Sequence, residues 1–184
     1  KYIADKTNKQ KMSYSKEVAE KAYRLAFEYE ANKGSCSQCV LAAIMDTIGG
    51  IDDSVFQAAQ GLSGGTVSCG TGSCGALAGG ITVLGSRVGR TRQEFDEDIK
   101  NRRVVEIGRK LADKFIQTYG GITCREVQTA NMGRSYNLAD PVENQQFAAA
   151  GGHAEKCASV AGNAAKWTVE ILNELEAGES ASAK

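Results

Sequence analysis

Hydrophobic positions recur at three- and four-residue spacing along almost the whole chain, with no convincing alternation at spacing two. Over residues 14–31, Val18, Ala22, Leu25, Ala26 and Tyr29 form the apolar stripe of an amphipathic helix. Cys36, Val40, Ala43 and Ile44 carry the pattern over 36–48, and a short helix is predicted at 54–60. Residues 61–72 read as a glycine-rich loop and 74–87 as an apolar helix of small residues. From Thr91 a long helix is predicted to about Tyr119, stopped by Gly120 and Gly121, with a short one following over 124–131. Residues 132–151 are irregular around Pro141, and 153–176 close the chain with Cys157, Ala161, Ala164, Ile171 and Leu175 along one face. The pattern predicts an all-α fold. A single-domain helical bundle is expected at 14–176, with an N-terminal arm at 1–13 and a disordered tail at 177–184.

Composition narrows the classes of function. A chain of 184 residues can bury one sizeable core. Its 22 lysines and arginines balance 22 aspartates and glutamates, so no global field draws it to nucleic acid or to an anionic membrane. The longest nearly uncharged apolar run, 75–85, is far short of the ~20 residues that span a bilayer, and no membrane insertion is expected. The chain opens on Lys1 rather than methionine; an exported protein with its signal peptide removed is favoured over a cytoplasmic one.

The chemistry lies in six cysteines, at 36, 39, 69, 74, 124 and 157. Three share a context: SCSQ at Cys36, SCGA at Cys74 and TCRE at Cys124, each with Ser or Thr before the thiol and a helical pattern after it. SCSQ and TCRE also read as capping boxes, with Gln38 and Glu126 at the third helical position. Ser35, Ser73 and Thr123 are therefore predicted N-caps, and each cysteine the first residue of a helix. The open N–H groups and the positive dipole end there favour a thiolate. Three such helices are expected to aim their sulfurs at one point, with Cys157 facing them from the last helix. His153, four residues before Cys157 and on the same face, is a secondary metal-ligand candidate, as are Cys39 and Cys69. Gly75 and Gly79, four apart after Cys74, leave room for a neighbouring helix or an inorganic cluster.

At these residues the chain resembles the C-GCAxxG-C-C family of bacterial and archaeal redox proteins. The family's CGAxxG core is matched by Cys74-Gly75-Ala76-Leu77-Ala78-Gly79, and its other three cysteines fall on Cys36 of CSQCVLAAI, Cys124 of GITCREV and Cys157 of EKCASVAGNAA. It is also similar to the iron–sulfur portion of split-Soret cytochrome c, without that protein's haem-binding motifs. The resemblance implies an iron–sulfur cluster on Cys36, Cys74, Cys124 and Cys157, with [2Fe–2S] favoured and [4Fe–4S] or a larger cluster left open. Cys39 and Cys69 depart from the family pattern as additional thiols, and the segment between Cys124 and Cys157 is long.

Three functions use these thiols. One is electron transfer through a cluster, with a redox partner protein. The second is thiol–disulfide cycling of Cys36/Cys39 or Cys69/Cys74. The third is binding of zinc or copper(I). No serine–histidine–carboxylate set, phosphate loop or nucleotide fingerprint is present, and whether a substrate is turned over stays open. The small-residue helix 74–87 and the alanine face Ala158, Ala161, Ala164 and Ala165 point to a homodimer.

Overall fold

The stripe through Ala19, Ala22 and Ala26 makes α1 (Lys16–Lys33), and its small side chains let α9 (Cys157–Ser182) lie closely along it. The computed structural model describes residues 15–182, with side chains to 177; the expected arm at 1–13 lies outside them. Between these two run α2 (Cys36–Thr47), α3 (Asp53–Ala58), α4 (Gly75–Val88), α5 (Arg92–Asp96), α6 (Arg103–Tyr119), α7 (Cys124–Met132) and α8 (Pro141–Ala149). A 3₁₀ turn, Ala59–Leu62, follows α3, and a π turn, Gly152–Lys156, leads into α9. The chain is an all-α, single helical domain. Among the described residues no strand occurs, only an isolated antiparallel bridge between Ser73 and Thr123.

α4 is the central element, packed against α2, α6 and α9. Its glycines allow this. A side chain on Gly79 would come within 2.6 Å of the Ser37 carbonyl oxygen in α2. One on Gly80 would come within 2.6 Å of both Leu111 Cδ2 in α6 and Thr168 Oγ1 in α9. The core around this junction holds Val40, Leu41, Ile44, Leu84, Leu111 and Phe115, all fully buried. Ala158, Ala161, Ala164 and Ala165 are fully buried too. The alanine face that suggested pairing with a second copy therefore packs within the chain.

Five expectations are corrected. The long helix predicted from Thr91 is two helices, because Asp96, Glu97 and Asp98 gather negative charge at the C-terminal, negative end of the α5 dipole. Asp98 turns the chain with φ 54°, and Asn101 Oδ1 accepts the Arg103 N–H at 3.0 Å to open α6. The segment read as irregular contains α8, whose Asp140 side chain accepts the N–H groups of Val142 and Glu143 ahead of Pro141 at the first helical position. Cys74, not Ser73, is the N-cap of α4. At α2, Ser35 is the N-cap but adopts a left-handed backbone and donates to the Gln38 side chain, so no capping box forms there. The box at Thr123 and Glu126 is complete. The final helix continues to Ser182, six residues beyond the predicted end at 176.

Two glycines of α4 separate close packing from open space. Gly79→Ala should lower stability in urea unfolding by about 1–3 kcal/mol, because the obstacle is backbone that cannot rotate away. Gly85→Ala meets nothing within 4 Å and should raise stability by about 0.5–1 kcal/mol through helix propensity alone.

Candidate cofactor site

Two loops meet where α4 and α7 begin. The Cys74 N–H donates to the Ile122 carbonyl at 2.7 Å, the Cys124 N–H to the Gly72 carbonyl at 3.0 Å, and the Arg125 N–H to the Gly70 carbonyl at 2.9 Å. This short exchange, centred on the Ser73–Thr123 bridge, sets Cys74 and Cys124 side by side. Cys36 arrives from α2 because position 75 has no side chain: a Cβ there would lie 2.5 Å from the Cys36 sulfur. Gly79, by contrast, meets α2 backbone and serves helix packing. Ser63 anchors the loop to the start of α2, its hydroxyl 3.0 Å from Ser35 Oγ and 2.7 Å from Ser37 Oγ. Cys157 enters at the junction of the π turn and α9.

These four cysteines line one cavity of about 130 Å³, room for about four waters. The remaining wall comes from Glu30 of α1, the loop residues Ser63, Gly64 and Ser68, and apolar side chains that include Val127, Leu138, Phe147 and Val160. The loop wall is strained. Gly64, Gly65, Thr66, Val67 and Ser68 run consecutively at positive φ, and Val67, at 42°, is β-branched. Hydrogen bonds within the loop hold it there, from Val67 N to Gly61 O at 2.8 Å and from Gly70 N to Gly64 O at 2.9 Å.

The thiols share an electrostatic environment hostile to negative charge. Burial, and then the neighbouring Cys74 and Glu30, push the Cys36 thiol well above its ordinary value. Burial and Cys124 raise Cys74 to about 12, with the N–H groups of Ala76 and Leu77 pulling it back. Those groups act on the sulfur without forming a helix-cap hydrogen bond. Cys157 is raised by burial, Cys74 and Glu30. Cys124 is raised by burial, against the Gln128 amide, which donates to its sulfur at 3.2 Å. Helix N-termini alone do not make thiolates here; desolvation outweighs them.

Cys39 and Cys69 do not line the cavity. Cys39 is buried and donates its thiol to the Gly34 carbonyl at 2.9 Å; Cys69 is exposed on the loop. His153 does reach the wall, through Nδ1, 3.1 Å from Glu30 Oε1, and that bond raises its pKa. All six cysteines are free thiols, and among the described residues no three His, Cys, Asp or Glu side chains are grouped to hold a single metal ion.

Two functional residues escaped the sequence reading. Gln128 lies four residues after Cys124, so helical spacing alone would have placed it on the sulfur's face. Glu30 extends the buried series Ala22, Ala26, a charged residue on an apolar face, and is 2% exposed.

A helical domain that gathers four thiols round one cavity has the arrangement of a cysteine-based redox protein. A protein-family model described as "Putative redox-active protein (C_GCAxxG_C_C)" matches residues 34–171, and the chain belongs to that family. Neither the curated proteins nor the solved structures searched gave a match. Among the described residues no helix is long and apolar enough to cross a membrane.

The raised thiols have a measurable consequence. In metal-free protein Cys69 should be alkylated first at pH 8, and the four cavity thiols far more slowly, as read by mass spectrometry. Their folded pKa values exceed the unfolded value of about 8.5, so their contribution is fully present below that pH. It is lost as pH rises from there towards 12, the value Cys74 reaches. Metal-free protein should lose up to about 1.4 kcal/mol per pH unit for each such thiol, seen as a falling urea midpoint.

Proposed function

We propose that the protein is an electron carrier that holds an iron–sulfur cluster on Cys36, Cys74, Cys124 and Cys157. The observation that carries this reading is the meeting of these four thiols, from four separate helix starts, in one cavity. Four thiolates are the ligand set of both [2Fe–2S] and [4Fe–4S] clusters. Buried thiols whose pKa values are raised by one another need a compensating cation to ionise, and metal binding would supply it.

The bound cluster would supply one-electron redox chemistry. The chain's own contributions are to fix the sulfurs and to exclude water. Gly75 leaves space for the Cys36 sulfur, the Ser73–Thr123 bridge fixes the Cys74–Cys124 pair, and the Gln128 amide hydrogen-bonds one ligand. Val127, Phe147 and Val160 give the site low polarity. The thiol–disulfide alternative has weaker support: an attacking thiol has a lowered pKa, whereas these four are raised, with Cys74 and Cys124 buried and Cys36 and Cys157 half-buried. Electron transfer also requires a redox partner protein, which this reading proposes without identifying its surface.

Protein purified without oxygen should be brown and contain iron and sulfide. Cys74→Ser should lose most of the iron, because the sulfur it removes lines the cavity. Cys69→Ser, on the exposed loop, should keep it. Iron analysis and visible absorbance of the two variants, prepared in parallel, check this. Equal loss in both would sink the four-cysteine assignment.

A further inference from the structure

Glu30 is a carboxylate that the protein alone does not satisfy. It is 2% exposed and lines the same cavity as the four thiols. Its Oε1 meets His153 Nδ1 at 3.1 Å, but its Oε2 is buried without a hydrogen-bond partner. The neighbouring Cys39 thiol lies against the Glu30 carboxylate, and burial together with that carboxylate raises its pKa, but its one hydrogen goes to the Gly34 carbonyl at 2.9 Å, so Oε2 is left without it. A buried, unpaired carboxylate oxygen is strongly unfavourable unless a cation or donor meets it. That penalty reverses when positive charge enters the cavity.

We propose that Glu30 is a fifth protein ligand of the metal group in this cavity, its Oε2 adding to one iron beside the four cysteine sulfurs and raising that iron's coordination from four to five. The proposal rests on the iron–sulfur reading above. Carboxylate oxygen is a hard donor that suits iron and is a poor partner for the soft copper(I) ion. The His153 contact on Oε1 holds the carboxylate from behind, as outer hydrogen bonds commonly do for metal-binding carboxylates. Gln128 differs: both ends of its amide are engaged, by the Cys124 sulfur and by the Tyr136 N–H at 2.7 Å.

The test uses the whole protein, made by cell-free synthesis with glutamate isotope-labelled at its side-chain carboxyl carbon and reconstituted with iron and sulfide without oxygen. After reduction with dithionite, electron–nuclear double resonance should show a hyperfine coupling from a bound carboxylate carbon. In Glu30→Gln the coupling should vanish and the g values should shift, with circular dichroism unchanged. A cluster that forms without the coupling, or a coupling that persists in Glu30→Gln, overturns the role of Glu30 and leaves the cluster standing. Protein that takes up neither iron nor sulfide overturns the cluster reading and this ligand with it. Should Glu30→Gln fail to fold, the wild-type spectrum still decides, since among the described residues Glu30 is the one glutamate lining the cavity.

Discussion

Everything at the site depends on a few backbone hydrogen bonds between the loop before α4 and the turn before α7. Three N–H groups, of Cys74, Cys124 and Arg125, cross between segments some fifty residues apart in sequence. They act on backbone, so they fix where two helices begin without regard to their side chains. Loops rarely hold position so tightly. Here the strained run from Gly64 to Ser68 and the Ser63 hydroxyl bonds to α2 keep the same loop from relaxing away. The cavity wall is thereby rigid on the side where chain flexibility would otherwise be greatest.

The second constraint is small volume at the helix contacts. Gly75, Gly79 and Gly80 lie in the first two turns of α4, and each meets a different neighbour: a sulfur, a backbone, and side chains of two further helices. One helix thus sets both the packing distance in the core and the distance at which a cysteine can approach. Fold and site are coupled through it. A change that loosens α4 for stability's sake also moves Cys36 relative to Cys74.

Electrostatics explains why such a site is held inside a fold rather than displayed on it. Burial, the neighbouring thiols and the Glu30 charge disfavour ionisation of the four thiols in this cavity, and the helix N-termini are too weak to reverse this. The polypeptide therefore builds a space that disfavours anions yet is lined by the precursors of anions. Under the proposed cluster reading, metal binding would offset that penalty and would be linked to folding.

The sequence by itself determined the helical architecture, the capping box at Thr123 and Glu126, the membership signalled by Cys74-Gly75-Ala76-Leu77-Ala78-Gly79, and which cysteines deserved to be considered together. Those features are local: periodicity, caps and short spacings act within a turn or two of helix. α8 was also locally encoded, by Asp140, Pro141 and Glu143, but the surrounding irregular pattern obscured it. Only the tertiary structure decided that Gly75 faces a sulfur while Gly79 faces backbone. It also turned the alanines of α9 inward and directed Cys39 to Gly34 instead of the cavity. Glu30 and His153 are 123 positions apart and meet only because α1 packs along α9. No local rule reaches that far. Contacts between distant segments are fixed by how whole helix faces fill space, which the order of residues along one helix does not contain.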